Sequence, residues 1–473
     1  MLERSKPLGI TYSLLSFDWI YEKEFEMQMR YADRLISYSA ALGMDCDIWE
    51  RENLVPKRWP RLEYLCITHR VSDPITEEQA ENLQGQQHFG RMQMPDDFPS
   101  AESTPLLKRL HLHSCSLQSP SQLLGLTNLT ELRVGRALHT PNIPIWSISK
   151  WLEIIVGLPH LQRLALAHSL AKYERSRVDH SDKVYPLHLK EFILGDLETT
   201  ISNFLRRLDL KITQIFHLVI HPSTNSIEGV QEIEHILIQI SPIVWHTLTV
   251  NKKYHRNWLL SIRHNSVRCK ESRDFGVGSE GKQPEGAFFE RAHVGIEFYP
   301  PTFMDLPIPE LNSVCQSRQI VPMFQPVFDQ VINLQLFCGA GQVLNVNILS
   351  EILWKSSSCL RSLSGIDYET WPVIYCNVLL SSGSVFTSRT YDVHVPFLQA
   401  LEVLDFSVME FLPVDHPTIM QVLEFLKFKQ QCGTPLRVLE GVEVIERDRF
   451  RALGEQFLNS EDGRIISIYD SLH

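Results

Sequence analysis

The chain has 473 residues, 44% hydrophobic and 21% charged, which is enough apolar surface to bury a continuous core and excludes a disordered chain. Its 45 Lys+Arg against 56 Asp+Glu leave a net charge of −11, which argues against a general phosphate-binding surface and so against nucleic acid as a partner. No stretch approaches the ~18 uninterrupted apolar residues of a spanning helix, the N-terminus is charged at once and has no signal-type apolar segment, and the nine cysteines are odd in number with no Cys-x-x-Cys pair; no membrane association and a cytoplasmic and/or nuclear location are expected.

Residues 1–58 carry no repeat and are expected to form an N-terminal cap. From residue 59 a Leu-x-x-Leu-x-Leu core, with Ile, Val, Phe or Trp allowed, recurs. It stands at Leu62/Leu65/Ile67, Leu107/Leu110/Leu112, Leu129/Leu132/Val134, Leu161/Leu164/Leu166, Leu189/Phe192/Leu194, Ile215/Leu218/Ile220 and Trp245/Leu248/Val250. One copy is complete: Leu107-x-x-Leu110-x-Leu112-x-x-Cys115-x-Leu117 fits the full leucine-rich-repeat pattern with cysteine in its Asn/Cys position. Alternation of Leu110 and Leu112 predicts a short strand with one core-facing side. From Leu107 through Leu129, Leu161, Leu189 and Ile215 to Trp245 the steps are 22, 32, 28, 26 and 30 residues, close to the roughly 20–29 of this repeat class. Residues 72–103, with Pro74, Pro95 and Pro99 and little periodicity, are expected to form a loop.

Between these strands the period changes. Trp151, Leu152, Ile154, Ile155 and Leu158 recur at helical steps, as do residues 227–240, 345–355 and the group Val422, Leu423, Phe425 and Leu426. Residues 268–290, rich in Lys, Glu, Ser and Gly, predict a flexible insertion where the strand register is lost. Beyond it Val331/Leu334/Leu336 and Leu401/Leu404/Phe406 fit the core and Leu360/Leu363 and Leu436/Leu439 fit it in part. The expected fold is therefore α/β: a leucine-rich-repeat-like solenoid or horseshoe, with a parallel inner sheet and convex helices, regular over residues 59–267 and degenerate over 291–473 to a C-terminal cap. A non-repeat α/β fold with Leu-rich strands is the alternative.

If the leucines face the core, the residues between them line the concave side. Those expected to bind a partner are Arg109, His111 and His113 on one strand, Glu131 and Arg133 on the next, then Arg163, Glu191, and His217 with His221. Tyr64, Cys66 and Thr68 flank the first core in the same way, and Thr247 with Thr249 the last. Arg and His crowd this strip between Arg109 and Arg163, which suits an acidic or phosphorylated peptide despite the acidic total.

The chain resembles the large fungal families of F-box proteins with degenerate leucine-rich repeats. The resemblance rests on Met1-Leu2-Glu3-Arg4-Ser5-Lys6-Pro7-Leu8, similar to the segment that follows the F-box there, on the Pro-x-Leu-x-x-Leu phrases of residues 59–67, 105–112 and 159–166, and on the cysteine-type repeat ending at Cys115. It implies a repeat region that selects substrates for a cullin ubiquitin ligase, with the Skp adaptor as partner only if an F-box precedes the chain, because no Leu-Pro-x-Glu opening stands before the first repeat.

Other motifs fail on context. Gly276-Val277-Gly278-Ser279-Glu280-Gly281-Lys282-Gln283 fits a phosphate loop except at its last position. It lacks the preceding apolar strand, the following helix and the magnesium-binding hydroxyl, so an NTP-binding role ranks far behind. Asp274-Phe275-Gly276 has no His-Arg-Asp before it. On a strand His111 and His113 point to the face opposite Leu110 and Leu112, while Cys115 sits past the bend with its side chain buried, so the three make no metal set. No catalytic group, cofactor or metal is expected, and the protein is read as non-enzymatic.

Overall fold

The computed structural model describes residues 9–14, 30–42, 58–69, 92–94, 98–117, 119–135, 146–171, 183–221, 227–255, 257–263, 266–271, 293–298, 320–337, 346–367, 370–384, 398–406, 412–442, 444, 447–458 and 463–466. Two compact units divide the chain, Met1–Ile212 with Leu218–Ser223 and Thr213–His217 with Thr224–His473. Both are α/β.

In the first unit the strands are β1 (Ile10–Leu14), β2 (Leu35–Leu42), β3 (Tyr64–His69), β4 (Met92–Gln93), β5 (Arg109–His113), β6 (Cys115–Ser116), β7 (Glu131–Gly135), β8 (Arg163–Ala167) and β9 (Glu191–Leu197). Its sheet runs β1-β2-β3-β5-β7-β8-β9, all parallel, while β4 and β6 form a separate pair. The pairing aligns the leucines: Leu65 opposes Leu110, Leu110 opposes Leu132, Leu132 opposes Leu164 and Leu164 opposes Phe192. All five are at most 1% exposed, so each strand contributes one rung of a continuous apolar row worth about 1.5–3 kcal/mol per side chain.

The backbone repeats along with the side chains. A turn closes before each strand through Leu62 N–H to Trp59 O, Leu107 to Thr104, Leu129 to Leu126, Leu161 to Leu158 and Leu189 to Pro186. The ladder then starts identically each time, Lys108 N–H to Glu63 O, Thr130 to Lys108, Gln162 to Thr130 and Lys190 to Gln162, at 2.8–2.9 Å. Recurrent bonds of this kind mean that each unit solves the same backbone problem with its neighbour. After β5 the chain bends at Ser114, whose φ of 55° lies in the left-handed region. The bend turns Cys115 inward, where its thiol donates to the His113 carbonyl at 3.3 Å. Helices α1 (Ile148–Gly157), capped by the Ser147 hydroxyl accepting from Lys150 N–H, and α2 (Glu198–Arg206) follow β7 and β9. Trp151, Ile154, Ile201 and Phe204 are buried from them.

The division between the units falls within β10 (Ile215–His221). In the second unit α3 (Ile227–Lys252) is followed by β11 (Trp258–Arg263), β12 (Ser266–Glu271), β13 (Val294–Phe298), β14 (Val331–Phe337), α4 (Val346–Ser356), β15 (Ser362–Ser364), α5 (Trp371–Ser384), β16 (Val403–Asp405), α6 (Pro417–Gln431), β17 (Val438–Glu440), α7 (Arg447–Gly454) and β18 (Arg464–Ile466). The strands lie in the order β13-β12-β11-β14-β15-β16-β17-β18. From β11 through β14 to β18 they are parallel, and β12 turns back antiparallel on β11 with β13 antiparallel on β12. The degenerate half keeps the same ladder start, Arg361 N–H to Ile332 O, Glu402 to Arg361, Arg437 to Glu402 and Arg464 to Arg437. The wholly buried Trp371 packs edge-on against Phe406 and Phe425.

Three sequence expectations change. The expected strand at Trp245/Leu248/Val250 is helix, because Leu237, Ile240, Val244 and Leu248 are buried at helical spacing while Trp245 is 45% exposed. A Leu-x-x-Leu step suits either periodicity, and the longer 3.6-residue pattern wins. The interval where loss of register is expected instead holds the antiparallel strands β11 to β13, and residues 268–271, expected to open the insertion, complete β12. Of the loop expected over residues 72–103, Met92–Gln93 form a short strand paired with Cys115–Ser116. Residues 1–8 and 272–290, with the Gly276 to Lys282 and Asp274-Phe275-Gly276 motifs, lie outside the described residues. Among the described residues no helix is long and apolar enough to cross a membrane.

Candidate functional site

On the face opposite the leucine row, β3, β5, β7, β8 and β9 bring six charged or aromatic side chains together about one carboxylate. Glu131, 3% exposed, receives His111 Nε2 at 2.9 Å and Arg133 Nε at 2.7 Å on one oxygen and Arg163 Nη1 at 3.3 Å on the other. Arg163 Nε also reaches Glu191 at 2.9 Å. On the far side of His111, Tyr64 Oη lies 3.3 Å from Nδ1, and the Arg109 guanidinium stands 4.7 Å from the centre of the Tyr64 ring. Parallel pairing makes these contacts possible: Tyr64 opposes Arg109, Cys66 opposes His111, His111 opposes Arg133, and Glu131 opposes Arg163.

The electrostatics arise from this packing. Burial pushes the Glu131 carboxyl up, yet the hydrogen bonds and charges of His111 and Arg133 outweigh it and hold the group at about 2. Burial pushes the Glu191 carboxyl above its ordinary value against the pull of Arg163. Burial disfavours a charged His111, but its hydrogen bonds with Cys66 and Glu131 carry the imidazole above its ordinary value. Burial likewise opposes ionisation of Cys66, and hydrogen bonds from His111, Tyr64 and Ser39 bring its thiol below its ordinary value. The Tyr64 phenol is pushed up by burial and by the adjacent thiol. The result is an imidazole held between a thiol and a carboxylate, an order of groups that favours thiolate formation.

We therefore expect the lowered thiol pKa to speed alkylation of Cys66 by iodoacetamide near neutral pH. In His111→Gln the rate at pH 7 falls severalfold, because the hydrogen bond that favours the thiolate is lost. Peptide mass spectrometry of Cys66 across a pH series checks this, and identical rate profiles for the two proteins would refute it.

The nine residues expected on an open strip do not share one environment. Arg109 and Arg163 are exposed and His111, His113, Arg133 and Glu191 are half-buried, whereas Glu131, His217 and His221 are buried. Glu131 is buried because its cations enclose it. His221 packs against His168 at 4.4 Å between ring centres, and burial pushes its pKa down to about 4. Burial also lowers that of His113. His217 belongs to the second unit, where Nε2 meets Glu297 at 2.6 Å and Glu297 also binds Arg268. Ala165, Ile193 and Val219, which alternate with the core leucines on the same strands, are buried too. The uninterrupted apolar runs Leu164-Ala165-Leu166-Ala167 and Phe192-Ile193-Leu194 carried that signal, since strands buried on both faces do not alternate. Thr247 and Thr249 lie in α3.

Sequence reasoning placed Tyr64 and Cys66 on this face but did not join them to His111 and Glu131. The three strands are far apart in sequence, and no local motif links them. No family model matches the chain, and no curated protein matches it.

Proposed function

We propose that the chain is a leucine-rich-repeat solenoid, a horseshoe whose inner face holds a protein or peptide without catalysing its conversion. The single observation carrying this reading is the in-register row Leu110, Leu132, Leu164 and Phe192 on successive parallel strands, with Arg109, Arg133 and Arg163 presented on the opposite face of the same strands. Around the buried Glu131 and half-buried Glu191 stand three guanidiniums, two of them exposed. This surplus suits an acidic or phosphorylated peptide, whose oxygens accept paired N–H donors from arginine.

The test is fluorescence anisotropy with acidic and phosphorylated peptide pools. Binding should weaken about tenfold or more in Arg109→Ala/Arg163→Ala and fall with added salt. Equal affinity in the double variant would remove the groove from the reading.

By resemblance, the repeat region would serve as the substrate-selecting part of an F-box subunit in a cullin ubiquitin ligase. Capture of the Skp adaptor by the reading frame extended upstream of Met1 supports that role. Failure of capture, with peptide binding retained, leaves a ligase-independent scaffold of the same fold.

A further inference from the structure

Away from this groove, the second unit gathers two imidazoles and a carboxylate. His255 follows the C-terminal end of α3, with its backbone N–H donating to Asn251 O at 3.0 Å. Glu271 ends β12, and His293 immediately precedes β13. One ligating atom from each of the three lies within 4.8 Å of the others, and His255 Nδ1 stands 2.9 Å from Glu271 Oε1. The antiparallel turn-back of β12 and β13, which interrupts the parallel order, is what brings Glu271 and His293 to the end of α3.

The surroundings favour ligation over a simple ion pair. His293 Nδ1 approaches the Gln214 carbonyl at 3.4 Å, and the same carbonyl accepts from the buried Asn251 side chain at 3.2 Å. A ring that donates from Nδ1 to a backbone carbonyl turns its Nε2 lone pair outward, the outer-shell arrangement that orients metal-binding histidines. Wholly buried Trp258, hydrogen-bonded through its indole to Gln330, stands edge-to-face with both imidazoles, with ring centres at 5.8 Å from His255 and 5.4 Å from His293. It gives the cluster one rigid apolar wall. The other side is open, with His255 and Glu271 side chains 23% and 35% exposed, so an ion and its waters can enter.

The geometry points to a divalent transition-metal site formed by His255, Glu271 and His293, with solvent completing the coordination shell. Two nitrogens and one oxygen make a borderline donor set, matched to zinc, cobalt or nickel and poorly matched to calcium or to copper(I). Ligand atoms about 2.0–2.1 Å from a tetrahedral metal lie roughly 3.3 Å apart.

The probe is Co²⁺ added to the full chain after chelator dialysis, read by its visible absorption, with Zn²⁺ titrated by calorimetry. Expected are one-to-one binding and displacement of Co²⁺ by Zn²⁺. Glu271→Gln, nearly the same size, should weaken binding at least tenfold, His293→Ala further, and His235→Ala on the exposed side of α3 not at all. A rise in wild-type Tm with Zn²⁺ that is absent in Glu271→Gln would support the site independently of spectra. No cobalt absorption in the wild type, or absorption undiminished in Glu271→Gln and His293→Ala, overturns it and leaves His255 and Glu271 as an ion pair only.

Discussion

Glu297→Ala lowers the stability of the folded protein by about 3–5 kcal/mol, the range for removing one partner of a buried charge cluster. Glu297 is 3% exposed and uses both oxygens: His217 Nε2 and Arg268 Nε lie at 2.6 and 2.7 Å from one, and Arg268 Nη2 at 2.8 Å from the other. Without the carboxylate, a buried imidazole and a guanidinium face each other with no anion between them. Gly295 leaves room for the His217 ring beside Glu297, because a Cβ there would stand 3.0 Å from it. A charge-neutral Glu297→Gln should cost less, since the amide oxygen still accepts one bond.

The same group sets an acid limit. Burial raises the Glu297 carboxyl, but hydrogen bonds and charges from His217 and Arg268 hold it at about 2, below its ordinary 4.5. Between those values the unfolded chain binds more protons than the folded one. The stabilisation is therefore complete above about pH 4.5 and drains away as pH falls toward 2. Urea midpoints measured from pH 6 to pH 2 should decline through this window, and the decline should be shallower in Glu297→Ala. Equal slopes in both proteins would contradict the assignment.

Leu164→Ala has a comparable cost for a different reason. Its side chain is 1% exposed and sits in the row between Leu132 and Phe192 on β7 and β9. Truncation loses transfer energy and leaves a cavity between two rigid neighbours, a loss of about 2–5 kcal/mol. Leu187→Ala, at a position 87% exposed, should change stability by less than about 0.5 kcal/mol. Denaturation curves in which the two variants behave alike would show that the row does not hold the unit together.

Much of the architecture was legible in the residues. The strands β3, β5, β7, β8, β9 and β10 fall on the Leu-x-x-Leu-x-Leu cores, and the partial cores Leu360/Leu363 and Leu436/Leu439 are β15 and β17. Helices read from Trp151 to Leu158 and from Val422 to Leu426 are α1 and α6. These elements depend on local periodicity alone, which a short window of sequence contains. The reading failed where one spacing served two structures, as at Trp245, and where pairing reversed direction, as in β12 and β13, because strand direction leaves no mark on the alternation of a six-residue segment.

The site shows the same division more sharply. Composition and alternation by themselves determined that Arg109, His111, Glu131 and Arg163 stand on the face away from the leucines, because side chains on a strand must alternate. Only the tertiary structure decided that Glu131 draws His111, Arg133 and Arg163 around it, that Cys66 joins His111, and that His217 leaves this group for Glu297. Charge pairing depends on which strands become neighbours and in what register. That is fixed by the packing of buried rows from distant parts of the chain, not by the residues next to each charge.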